Sequence, residues 1–309
     1  MTLDRALRSS TPLRAFAALL IALAALLGLS AARASAAIVP QTYTGQADGP
    51  TPDIELGGLV FNNASGGTIP SGGSAGTLNF TVGGVPSIGY CIDTSRIFNE
   101  GTEVVETTEQ DPPATGENRA VSWILLNRTP SGTPTPEKRT QAAVSQVAVW
   151  LLVDAQIDRT TPTSDAAINA AAAALVQEAL AATASPASLA LTAAPPAPGA
   201  TTATVTVTGR PGASVALSVT AGTGTLSATQ VVIGAGGTAT VTLTSPQPGS
   251  VTISATSAGD GRLTLIDPTD PELQSQNTAA AAPNQVSATL VVAFQACLLY
   301  TSPSPRDRS

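Results

Sequence analysis

The chain has 309 residues, no histidine and one lysine, Lys138. Without histidine there is no Cys-His or Ser-His nucleophile pair and no His-based zinc site. Thr135-x-x-Lys138 has the spacing of a nucleophile–lysine pair, but it lies among prolines. These absences argue against an ordinary hydrolase, a cysteine hydrolase included. Charged residues make up only 11% of the chain and aromatics 3%. The formal charge is −7; residues 1–36 contribute +3 and residues 297–309 contribute +1, so residues 37–296 carry −11. An acidic body with no Lys/Arg cluster is a poor partner for nucleic acid or an anionic membrane, and neither is expected. Cysteine is scarce too, with Cys91 and Cys297 the only two.

What is abundant is Gly (27) and Pro (24), with much Thr, Ser, Ala and Val. That balance suits extracellular β-domains on a stalk, and the length leaves room for two domains plus processing segments. Residues 1–36 read as a secretory signal peptide. Arg5, Arg8 and Arg14 form a positive region, residues 15–29 an apolar core, and Ala34-Ser35-Ala36 an A-x-A cleavage site. The mature chain is then expected to start at Ala37; a retained membrane anchor is the alternative.

From residue 39 to residue 93 the signals are those of β-structure. Leu59-Val60-Phe61 and Thr77-Leu78-Asn79-Phe80-Thr81-Val82 are short runs set off by Gly-Gly and Pro-Ser-Gly-Gly. A strand over residues 88–92 carries Cys91. Residues 99–118 are polar, contain Asp111-Pro112-Pro113, and read as a long loop. Helical periodicity follows. Val121, Ile124 and Leu125 share one face of a helix over 120–127, and residues 141–153 are apolar nearly all round, as in a buried helix. A third helix is expected from Ser164 as N-cap, with Asp165 in its first turn, to about Thr183 before Pro186. Its stripe of Ile168, Leu175 and Leu180 would cover the sheet. Residues 37–185 therefore read as one α+β domain, a β-sheet or barrel plus helices.

From Ala187 the period changes to two. Thr204-Val205-Thr206-Val207-Thr208 and the runs 214–219, 238–243, 251–255 and 286–294 alternate apolar with polar between Gly- and Pro-rich turns. Short strands at this spacing predict an all-β sandwich over residues 186–296. Pro211-Gly212-Ala213-Ser214-Val215 and Pro248-Gly249-Ser250-Val251-Thr252 resemble the bacterial Ig-like repeats of invasin-type surface stalks, which implies a spacer without site chemistry. Residues 297–309 break the pattern and resemble adaptor read-through, in which case Cys297 is not native. A disordered natural tail is the rival reading.

With Cys297 set aside, Cys91 is a lone thiol in a secreted chain: an intermolecular disulfide, a reactive group or an inert core residue. Three motifs then occur in order. They are Tyr90-Cys91-Ile92-Asp93, Val121-Ser122-Trp123-Ile124-Leu125-Leu126-Asn127 and Ser145-Gln146-Val147-Ala148-Val149-Trp150. Together they resemble the thioester (TQXA) domains of Gram-positive surface adhesins, with Ser in place of the family's Thr before Gln146. The resemblance implies that the Cys91 thiolate attacks the Gln146 side-chain carbonyl, ammonia leaves, and an internal thioester links strand to helix. It further implies a secreted or cell-wall-anchored adhesin that acylates an amine, a lysine above all, on a partner surface. This is single-turnover bonding rather than enzymatic turnover, with no cofactor and no metal.

Thr140-Gln141-Ala142-Ala143 matches the letters TQXA literally, so the glutamine has to be chosen. Five residues apart on one helix, Gln141 and Gln146 point about 140° apart and do not both face Cys91. Gln141 lies near the polar start of the helix. Gln146 sits in the apolar run, where an unpartnered amide would cost roughly 1–3 kcal/mol. Gln146 is the choice. Asp93 is a supporting acid that positions a proton, or else a turn-capping carboxylate; Trp150 reads as core packing. The competing account is a non-covalent binding or structural stalk protein in which Cys91 and Gln146 are ordinary core residues.

Overall fold

The computed structural model describes residues 42–43, 53–69, 73–82, 85–94, 104–268 and 278–297. The expected signal peptide and the tail after Cys297 lie outside these residues. The first part of the chain gives strands β1 (Thr42–Tyr43), β2 (Glu55–Leu56), β3 (Ala75–Gly76), β4 (Leu78–Val82), β5 (Val85–Cys91) and β6 (Val104–Gln110). The last corrects the loop expected over 99–118. The sequence Val-Val-Glu-Thr-Thr-Glu-Gln is rich in β-branched residues, which suit a strand, while its acids hide the alternation sought by pattern.

Three helices follow, each opened by a side-chain cap. Thr115 accepts from Asn118 N–H at the start of α1 (Gly116–Asn127). Thr135 accepts from Lys138 N–H at the start of α2 (Pro136–Val153), where proline in the first turn gives up no helical hydrogen bond. Thr135-x-x-Lys138 is thus a capping interval, and Lys138 Nζ donates to the carbonyls of Ser131 and Thr133 at 2.7 and 3.2 Å. In α3 (Ala166–Ala182) the cap is Asp165, whose carboxylate accepts from the N–H groups of Ala167 and Ile168. The expected cap, Ser164, instead accepts from Val60 N–H at 3.1 Å. The buried stripe of α3 is Ile168, Ala172, Leu175 and Ala179, with Leu180 only partly covered.

The remaining strands are β7 (Leu189–Ala193), β8 (Thr202–Gly209), β9 (Ser214–Ala221), β10 (Thr225–Leu226), β11 (Gln230–Val232), β12 (Thr238–Thr244), β13 (Gly249–Ala258), β14 (Arg262–Pro268), β15 (Thr278–Ala282) and β16 (Gln285–Phe294). Two four-stranded sheets, ordered β10-β12-β8-β7 and β11-β9-β13-β16, form the sandwich. Its core holds Val205, Val207, Leu217, Val241, Leu243, Val251 and Ile253, the inward members of the period-two runs. The fold class is therefore α+β followed by an all-β sandwich.

One feature crosses that division. The six-stranded sheet runs β1-β6-β14-β15-β5-β4, so the β14–β15 hairpin leaves the sandwich after β13 and enters the sheet that holds Cys91. The chain then returns as β16, pairing with β13 along ten residues. The first sheet thus draws on both segments that the sequence pattern sets apart. Its helical side packs Tyr90, Val121, Ile124, Val147, Trp150, Leu175, Leu263 and Ala279 into one core.

The crossing is stitched by polar contacts. Asp260 is buried; its Oδ2 accepts from Ala187 N–H at 2.7 Å, its Oδ1 pairs with Arg210, and its carbonyl accepts from Ser122 Oγ at 2.8 Å. Asn284 accepts from Gly261 N–H and donates to Asp111. Gly261 has φ +80°, and a Cβ there would lie 2.5 Å from Ser122 Oγ, so only glycine lets the strand pass α1 this closely.

Candidate functional site

Strand β5 ends at Cys91, and α2 carries Gln146 to the same place. Both residues are buried, at 5% and 2% exposure. Cys91 N–H donates to Gln146 Oε1 at 3.0 Å, and Gln146 Nε2 donates to the Cys91 carbonyl at 2.7 Å. The reason lies in the ladder. Strand β4 pairs with β5 from Val82↔Val85 to Leu78↔Gly89. Two positions further on, the place opposite Cys91 would fall on Gly76, but Gly76 belongs to β3 and pairs with Glu55 of β2. The Gln146 carboxamide, which presents an N–H and a C=O to Cys91 as a peptide group would, fills the vacated place. Cys91 carries a free thiol.

A second clamp lies three residues on. Asp154, at the C-terminal cap of α2, accepts from both the N–H and the hydroxyl of Thr94 and also from Gln156 N–H. From residue 146 to residue 154 a helix rises about 12 Å, and from residue 91 to residue 94 an extended chain covers about 10 Å. Strand end and helix therefore run side by side and are tied at both ends of the overlap. The sequence gives one hint of Asp154: an acid at a helix C-terminus opposes the helix dipole and needs a partner from outside.

The electrostatics favour the neutral thiol. Burial pushes the Cys91 thiol well up, and the nearby negative charges of Asp93 and then Asp53 add to it. Asp53 is held by Asn79, whose N–H and side-chain amide donate to its Oδ1 at 2.8 and 2.7 Å. Burial also pushes Tyr90 from 10.0 up to about 12, while the hydroxyls of Thr129 and Ser145 pull the other way. Among the described residues, the Tyr90 hydroxyl, Thr129 Oγ1 and Trp150 Nε1 have no hydrogen-bond partner of regular geometry. Trp150 packs edge-on against Phe61, with ring centroids 5.1 Å apart, so it works as core packing.

Of the two candidate glutamines, the structure brings only Gln146 to Cys91. Gln141 is exposed and donates to the Arg128 carbonyl at 3.1 Å. Asp93 is partly buried close enough to bear on the thiol, and Cys297 is exposed. Among the described residues no group of His, Cys, Asp and Glu is placed to hold a metal ion, and no helix is long and apolar enough to cross a membrane.

Residues 88–181 match the family of thioester domains. Among solved structures, the thioester domain of the Enterococcus faecium TIE86 protein aligns over 83% of this chain and 97% of its own, with 13% identity and a TM-score of 0.39. The D00-D0 and D0-D1 domains of intimin each align over 34% of this chain and over 45% and 47% of their own. Their identities are 24% and 23% and their TM-scores 0.21 and 0.22. No curated protein matches the chain. The segment that carries both Cys91 and Gln146 is thus the part of the chain that is similar to thioester domains.

Proposed function

We propose that Cys91 and Gln146 close an internal thioester, and that the protein is a secreted or wall-anchored adhesin using it to bond covalently to an amine on another surface. The observation that carries this reading is the two-point seating of the Gln146 carboxamide on the Cys91 backbone. Seated as a ladder partner, the amide lies in the plane of the sheet, and a strand side chain rises out of that plane. Sulfur then reaches Cδ from outside the plane of the amide, the side from which a nucleophile attacks a carbonyl.

The step balances without a further reactant. The Cys91 Sγ–Cδ bond forms, the Cδ–Nε2 bond breaks, and the thiol proton leaves with the nitrogen as ammonia. Negative charge that builds on Oε1 meets Cys91 N–H, already 3.0 Å away, which acts as an oxyanion donor. With the thiol held neutral by burial, its proton must move as sulfur attacks, and Asp93 is the nearby acid suited to relay it. In the second step an amine attacks Cδ, sulfur leaves as the thiol, and a stable amide remains. Nothing restores the thioester, so each molecule bonds once. The apolar setting of Tyr90, Val149 and Trp150 slows hydrolysis by excluding water.

On this reading residues 1–36 direct secretion, residues 37–185 together with the β14–β15 hairpin carry the bonding chemistry, and the sandwich strands of residues 186–296 hold it away from the cell. The test is intact mass. The secreted chain should be lighter than its sequence by one ammonia and should gain methylamine, and Cys91→Ala should lose both properties. Full mass with no methylamine uptake would favour a non-covalent stalk with Cys91 and Gln146 as core residues.

A further inference from the structure

We propose that Thr278, on the hairpin delivered from the second part of the chain, is a positioning residue of the Cys91 site: it forms the wall that keeps water from the sulfur. The proposal rests on the thioester reading for its purpose, but its geometry stands apart from it. Strand β15 pairs with β5 in the register Thr278↔Cys91, Ala279↔Tyr90 and Ala280↔Gly89. Cys91 directs both its N–H and its carbonyl at Gln146, on the opposite edge of β5. The Thr278↔Cys91 pair is therefore of the non-hydrogen-bonded kind, the closer of the two antiparallel spacings, with Cα atoms about 4.5 Å apart. Residues directly opposite on an antiparallel ladder share a face, so the two side chains abut.

Burial agrees. Thr278 is 1% exposed, and so is Ile266, its partner on the far side in β14, so Cys91, Thr278 and Ile266 make one buried row across three strands. A β-branched side chain in a strand has little χ1 freedom, which makes Thr278 a stiff wall rather than a mobile flap. Ala279, opposite Tyr90, is small and fully buried, which lets β15 lie close. No signal in the first 185 residues announces this contact, because the strand that makes it is reached only after β13.

The test uses the full chain with Cys297→Ser, so that Cys91 is the only thiol. One readout is the lifetime of the thioester, followed as gain of one water in the intact mass. The other is the rate of Cys91 alkylation by iodoacetamide in a Gln146→Ala background, where the thiol is free whether or not the parent forms a thioester. Thr278→Ala should shorten the lifetime and speed alkylation several-fold, with an unchanged near-UV circular dichroism spectrum. Thr278→Val, which keeps the shape and drops the hydroxyl, should restore both. Should Thr278→Ala fail to fold, Thr278→Ser removes only the methyl and carries the same comparison. Equal alkylation rates with Thr, Ser or Ala at this position would overturn the proposal. A parent of full mass would sink the thioester reading alone, since the alkylation rates still decide on Thr278.

Discussion

Asp154 and Thr94 form a buried two-point contact, with one carboxylate oxygen accepting from the Thr94 N–H at 2.7 Å and from its hydroxyl at 2.5 Å. It fixes the chain three residues beyond Cys91, so its loss should loosen the seating of Gln146 as well as the fold. Asp154→Ala leaves a buried N–H and hydroxyl without a partner, at a cost of about 1–3 kcal/mol. We expect a lower midpoint of chemical denaturation and slower ammonia loss, both measured on freshly folded protein. Unchanged stability would show that the clamp is idle.

The crossing between the two parts of the chain gives a second expectation. Asp260 has a fully buried side chain, Arg210 is only 20% exposed, and removing one member of such a pair strands the other. Asp260→Ala should destabilise the protein by about 3 kcal/mol. Because the β14–β15 hairpin belongs to the first sheet, both parts should unfold together, in one transition seen alike by Trp fluorescence and far-UV circular dichroism. For the same reason a chain ended at residue 185 should lack native near-UV signal. Two separate transitions, or a well-folded fragment, would contradict the shared sheet.

Tyr90 sets an alkaline limit. Its folded-state value lies above the unfolded one, at about 12 against 10.0. The neutral phenol therefore contributes stability in full below pH 10, and the contribution fades as pH rises from 10 towards 12, by on the order of 3 kcal/mol. In a Cys91→Ala background, where neither thiol nor thioester interferes, denaturation midpoints should fall steeply over that interval. Tyr90→Phe should flatten the fall. A parallel decline in both proteins would remove Tyr90 as its cause.

Much of this was legible from local pattern. The strand that carries Cys91 and the apolar helix around Gln146 follow from periodicity, while the preference for Gln146 over Gln141 rests on the Val149-Trp150 pair of the resembling motif as well as on the cost of burying an amide. The cap at Asp165 was missed by one residue, since Ser164 and Asp165 both have capping side chains and only the backbone decides between them. Strand β6 was missed because its glutamates mask the alternation. The place of β14 and β15 was beyond any local signal. Residues 262–282 fall inside the span 186–296 read as sandwich but show no period-two run of their own, and the pairing of β14 and β15 with β6 and β5 depends on where the chain crosses. The partners Thr94 and Thr278 share that limit, because a threonine in a strand is ordinary until its neighbour is known.

The most direct test of the central claim is to treat the folded, secreted chain with methylamine and locate the label by peptide mass. The account predicts a methylamide on Gln146, none on Gln141, and a Cys91 thiol that becomes available for alkylation only after treatment. An unlabelled Gln146, with the Cys91 thiol already free in the untreated, denatured protein, would contradict it.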